Sequence, residues 1–154
     1  MLIILRGEPP SKKNSQEIVK YTKRDGTERR AVIQNDRYRQ FESDAGWQIP
    51  QAARKHINYP VNVKAIYYRS TLRRVDRPNL EEALLDILVH WGVLSDDNRD
   101  VVAATDGSRV YYDPDNPRIV VEITPLDDPD YELFHELAKQ KRKGGKKNVV
   151  PRRI

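Results

Sequence analysis

With 154 residues, 38% of them hydrophobic and 33% charged, the chain suits one rather polar globular domain around a single core, not a disordered segment. No run approaches the length of a membrane span, and the absence of cysteine excludes a disulfide framework and any thiolate metal site. The net charge of +5 belongs to one end: from Asp130 onward eight Lys/Arg stand against three acids, whereas residues 1–129 hold 20 basic and 20 acidic groups. A basic tail of this kind suits a polyanion, nucleic acid foremost, and the cytoplasm is the expected compartment.

In chain order, "MLIILRG" reads as a strand stopped by Gly7 and the Pro9-Pro10 pair. Its apolar run is too short for a signal-peptide core and lacks a basic segment before it. "EIVKYTK" and "ERRAVIQ" alternate around Asp25-Gly26, which predicts a β-hairpin. From about Asp36 to His56 the pattern is helical, with Tyr38, Phe41, Ala45 and Ile49 on one face and Pro50 placed to divide the helix. "VNVKAIYYRS" has the branched and aromatic alternation of a central strand.

The next helix is expected from about Asn79 to Trp91, its core face formed by Leu80, Ala83, Leu84, Ile87, Leu88 and Trp91, with Gly92 ending it. "VVAATDGSRVYY" reads as extended and "PRIVVEITPL" as a last strand. After Pro129 a short amphipathic helix decays into "KRKGGKKNVVPRRI", a composition that predicts mobility. The order β, hairpin, α, β, α, β, β implies an α+β domain over residues 1–129, a mixed sheet with helices packed on it, followed by a basic tail at 130–154.

The chemistry concentrates in "VDRPNLEEALLD". Asn79, Glu82, Asp86 and His90 form one polar stripe at helical spacing, opposite the Leu84 face. Asp76 precedes the helix and Asp96-Asp97 follow it. If the flanking loops fold over the stripe, three or more carboxylates meet, an oxygen-only donor set suited to Mg²⁺ or Mn²⁺ beside a substrate phosphate. The plainer account has Asp76 and Asn79 capping the helix, Glu81 and Glu82 complementing its dipole, and Asp96-Asp97-Asn98 making a turn. Asp86 resists that account, because it lies mid-helix and faces Glu82 four residues away instead of a lysine. His56 and His90 lack zinc-ligand spacing. No nucleophile triad and no phosphate-binding glycine loop stands out.

"RRVDRPNLEEALLDILVHWGVLSDDN" resembles the core signature of the RusA family of Holliday junction resolvases: Asp-x-Asp-Asn-x-x-Lys-x-x-x-Asp, an apolar helix end, a Gly-Val-like step and an Asp-Asp pair. "GEPPSKKNS" and "PRIVVEI" resemble the family's opening turn and closing strand, so the likeness spans roughly residues 1–125. It implies a small homodimer that binds four-way DNA junctions and hydrolyses two opposed strands with Mg²⁺ (or Mn²⁺).

Position by position, Asp76 matches the first aspartate, Asn79 the asparagine, Asp86 the helix aspartate, and Asp96 and Asp97 the final pair. Pro78 stands where a second, metal-binding aspartate belongs, and Glu82 where a lysine acting on the scissile phosphate or its attacking water belongs. The catalytic set so implied is Asp76, Glu82, Asp86 and Asp97, and the metal set Asp76, Glu82, Asp96 and Asp97, with Glu82 restoring the lost acid. Lys12, Lys13, Arg73 and Arg74 are candidates to supply the missing charge. Together with Lys141, Arg142, Lys143 and the hairpin they are the candidate DNA contacts. Two other readings are a cleavage-deficient protein of the same fold that binds DNA structures, and a small domain whose tail serves another polyanion.

Overall fold

The computed structural model describes residues 1–12, 16–34 and 36–144; Lys13 and the tail beyond Gly144 lie outside them. The fold is α+β, as the order of elements implied. Strands β1 (Leu2–Arg6), β4 (Val61–Arg69), β5 (Val102–Ala104), β6 (Arg109–Tyr112) and β7 (Arg118–Pro125) make a mixed five-stranded sheet. Its order is β1-β7-β4-β5, and β6 pairs with the far half of β4. β7 runs antiparallel to both β1 and β4, while β5 and β6 run parallel to β4. "VNVKAIYYR" is therefore the central strand its composition predicts, and "VVAATDGSRVYY" is two strands broken by a turn. In the gap between those two strands the Ala65 N–H on β4 donates to the buried Ser108 hydroxyl at 3.0 Å, which replaces a ladder bond.

Alternation decides which face of the sheet is dry. Ile3, Leu5, Val61, Val63, Ala65, Tyr67, Ile119, Val121 and Ile123 are buried in one cluster with two helices. Helix α1 (Asp36–Gln48) contributes Tyr38, Phe41 and Ala45, and Ile49 follows it into the core, the face read from spacing. Pro50 does divide that segment, since only a 3-10 turn, Gln51–Ala53, follows. Helix α2 (Arg77–His90) contributes Leu80, Ala83, Leu84, Ile87 and Leu88. It starts earlier than the spacing suggested because Pro78 takes the second helical position, where a missing N–H costs nothing.

Gly92, at φ +72°, closes α2 with paired bonds from the Gly92 N–H to the Val89 carbonyl and from the Val93 N–H to the Leu88 carbonyl. The hairpin β2 (Gln16–Thr22) and β3 (Glu28–Gln34) forms a separate two-stranded sheet turning at Asp25-Gly26, as read. Helix α3 (Pro129–Gly144) runs further than expected and takes in "KRKG". Its apolar Phe134 and Leu137 are exposed, and its partly buried side is Tyr131, His135 and Ala138.

The two core helices are locked where α2 ends. Trp91 donates its indole N–H to the Glu42 carbonyl at 2.8 Å and lies flat against Gly46, where an added Cβ would stand 2.2 Å from the ring. Gly46→Ala must push that ring aside and is expected to cost about 1–3 kcal/mol. Chemical denaturation would show it as a lower midpoint at unchanged slope, and a midpoint within error of wild type would refute this packing account.

Candidate active site

The site is assembled around α2. At its head, Asp76 takes the N-cap position in extended conformation, yet its side chain makes no capping bond; instead it accepts the Asn79 side-chain amide at 3.3 Å. With the helix starting at Arg77, Glu81 and Glu82 sit in its second turn, beyond the reach of its terminal N–H groups. Glu81 pairs with Arg77 at 3.2 Å. The capping account thus fails for the side chains of Asp76, Glu81 and Glu82.

Glu82 and Asp86 have a partner that no helical spacing could reveal. The Gly7 N–H donates to the Pro117 carbonyl at 2.9 Å, and Glu8 holds the Ser70 N–H at 2.8 Å and the Arg69 guanidinium at 3.4 Å. The loop so anchored crosses to α2, where the Lys12 N–H donates to the Asn79 carbonyl at 3.1 Å. Its ammonium then lies 2.9 Å from Glu82 and 2.7 Å from Asp86. Asp86 therefore does face a lysine, one supplied from seventy-four residues earlier in the chain. Hydrogen bonds that its ammonium donates to Asp86 and then Glu82 hold the Lys12 pKa well above the ordinary 10.5, against the opposing pull of partial burial.

After Gly92 the chain turns back along α2. Leu94 is buried and forms a bridge with Ile57, and the Ser95 N–H donates to the Ile57 carbonyl at 2.9 Å. The exposed stretch 96–99 follows. Asp96 accepts the Asn98 N–H at 3.1 Å, which lowers its pKa, and Asn98 accepts the Asp100 N–H at 2.9 Å. Asp96 is thus the turn-former that the plainer account described. Asp97 differs: it lines an open groove of about 440 Å³ together with Tyr38, Glu42, Asp86, Val89 and His90.

Tyr38, Glu42 and His90 were not foreseen in this role. His90 Nδ1 is 4.0 Å from Glu42, and burial, reinforced by Glu42, pushes the Tyr38 pKa up to about 12, so its hydroxyl keeps its proton at neutral pH. The one available signal was the i, i+4 spacing of Tyr38 and Glu42 beside the core face of α1.

Among the described residues, no three His, Cys, Asp or Glu side chains gather as a metal cage. Mg²⁺ does not require one, because it commonly binds through one or two carboxylates, several waters and a substrate phosphate. Asp86 and Asp97, which both line the groove, are carboxylates that could take part in such a site. Asp76 lies ten residues before Asp86, about 15 Å of helix rise, so the two cannot ligate one ion.

Of the expected DNA contacts, Arg73 and Arg74 line a second groove of about 380 Å³ with Arg69, Leu72, Tyr111 and Tyr112, on the segment that runs into α2. Lys141 is exposed on α3, Arg142 is bound to Asp100 at 2.8 Å, and the side chains of Lys13 and Lys143 lie outside the described set.

The family model described as Endodeoxyribonuclease RusA matches residues 8–124. The chain belongs to the RusA endodeoxyribonuclease family. The match spans Lys12, both grooves and the whole of α2, and it stops before α3. By class this RusA-family chain is therefore a DNA endonuclease. No curated protein matches it significantly. No helix among the described residues is long and apolar enough to cross a membrane.

Proposed function

We propose that this RusA-family chain is a Mg²⁺-dependent endonuclease, Mn²⁺ serving as well, that resolves Holliday junctions or related branched DNA. It acts as a homodimer in the cytoplasm, in recombination and repair. The observation that carries this reading is the approach of Asp86 and Asp97 to one open groove in a chain of this family. Asp97 is the pivotal ligand: the groove groups it with Asp86, whereas the family motif groups it with Asp76. Bound there, Mg²⁺ supplies charge stabilisation at phosphorus and a more acidic water.

The chain's own residues do the rest. Glu82 and Asp86 aim the Lys12 ammonium at the groove side of α2, where it meets phosphate charge. Tyr38 keeps a hydroxyl proton for donation. Arg73 and Arg74, with the hairpin cations Lys20, Lys23, Arg29 and Arg30, take backbone phosphates, so binding falls steeply with salt. An isolated hairpin is marginal in water, and its exposed Ile18, Tyr21 and Ile33 support a role in contact with a second molecule. Two opposed cuts need two sites related by a twofold axis. Exposed Leu2 and Ile4 on the outer sheet face support self-association.

A second reading, binding without cleavage, is favoured by one observation: Lys12 already neutralises Glu82 and Asp86. A labelled four-way junction in about 10 mM Mg²⁺, a level suited to a cation bound through few protein ligands, separates the two readings. Symmetric paired nicks are expected, lost in Asp97→Asn and in whichever of Asp76→Asn and Asp86→Asn removes its co-ligand. Tight junction binding without cuts in Mg²⁺ or Mn²⁺ would replace the enzyme reading with the second.

A further inference from the structure

Helix α3 lies beyond the family match, and it touches the body of the protein at the loop that carries Asp97. That loop is fixed at both ends by the core. Leu94 and Val101 are buried, and the Val61 N–H on β4 donates to the Val101 carbonyl at 2.8 Å. Between those anchors, residues 96–100 rest on two side-chain bonds of their own, on the Val101 and Val102 N–H groups donating to the Asn98 carbonyl at 3.0 and 2.8 Å, and on α3.

Three features of α3 converge on two consecutive residues. The Tyr131 hydroxyl donates to the Arg99 carbonyl, and the Arg99 guanidinium lies 5.3 Å from the centre of the Phe134 ring. Arg142 donates to Asp100 at 2.8 Å, about three helical turns beyond Tyr131 on the same helix. A single surface ion pair contributes little. Here the pair closes a bracket already made by a hydroxyl and a stacked ring. Arg142, a candidate DNA contact from composition, is already engaged within its own chain.

We infer that α3 is a strap that holds the Asp97 loop against α2, with Tyr131, Phe134 and Arg142 as positioning residues for the cleavage reaction. The inference rests on the enzyme reading above for its consequence in catalysis, and on geometry alone for the strap itself. Asp97 is exposed and three residues from Asp100, so its placement follows the loop's. Loosening the strap costs the reaction its ligand geometry while leaving the phosphate-binding cations where they are.

The test uses the full chain with Arg142→Asp, Asp100→Arg, the double swap, and Tyr131→Phe as the milder variant. Junction Kd is measured without divalent metal, single-turnover cleavage with Mg²⁺, and amide hydrogen exchange over residues 97–102 without DNA. The single variants should exchange faster in that loop and cut about 10-fold to 100-fold more slowly at a Kd within about twofold of wild type. The double swap should restore both.

Exchange unchanged in every variant overturns the strap. Loss of Kd matching the loss of cleavage overturns it too, by making Arg142 a DNA contact. If wild type binds and never cuts, the enzyme reading fails, and the exchange arm still decides whether the strap exists.

Discussion

Asp97→Asn is expected to slow junction cleavage by about 100-fold or more while changing junction affinity little. The side chain is exposed, and the bonds that shape its loop come from Asp96, Asn98 and α3, so the amide replaces the carboxylate without disturbing the fold. What is lost is one anionic oxygen donor at the groove shared with Asp86. Asp96→Asn makes the internal control. Its amide oxygen can accept the Asn98 N–H as the carboxylate does, so cleavage should stay within a few-fold of wild type. Quench-flow or gel-based single-turnover rates on one labelled junction, with binding measured in parallel, give the comparison. Equal rates for Asp97→Asn and wild type would remove Asp97 from the chemistry.

The second large effect is expected at Lys12. Lys12→Met removes the ammonium that joins Glu82 to Asp86 and is expected to reduce cleavage by about 10-fold to 100-fold. It also restores the repulsion of two carboxylates four residues apart, at roughly 0.2–0.5 kcal/mol. Because its folded pKa is raised, Lys12's contribution to stability is fully present below pH 10.5 and is lost only as pH climbs through the raised value. The melting difference between wild type and Lys12→Met should therefore be constant across neutral pH and shrink only in strong alkali.

The sharper experiment exchanges the charges. Lys12→Glu alone gathers three carboxylates, and Glu82→Lys alone sets two ammonium groups together. The double variant rebuilds the pair with the lysine on α2, where the family motif carries it. Recovery of cleavage in the double variant, relative to both singles, is the expected result. A double variant as inactive as Glu82→Lys would show that Glu82 acts with its own carboxylate, as a metal ligand.

These two positions mark where reading the chain succeeded and where it stopped. Asn79, Glu82, Asp86 and His90 were legible as one stripe because 3.6-residue periodicity is local, and the same periodicity gave the Leu84 face that α2 buries. The strands, the hairpin turn at Asp25-Gly26 and the stop at Gly92 were legible for the same reason: alternation, turn chemistry and helix caps act over a few residues. Spacing alone places the start of α2 two residues late, since Pro78 reads equally as a breaker and as a helix starter.

Nothing local could separate Asp96 from Asp97. The first turns inward to its own loop and the second faces the groove, a choice made by the anchors at Leu94 and Val101. The sequence by itself determined the α+β class, the central strand, the two core helices and the acidic stripe, because each follows from hydrophobic spacing within one element. Only the tertiary structure decided that Lys12 closes on Glu82 and Asp86, that Glu42 and His90 share a groove with Asp97, and that Arg142 is held by Asp100. His90 and Asp97 apart, those contacts join side chains tens of residues distant in the chain, and long polar side chains carry no periodic signal until a packed core fixes the loops that bear them.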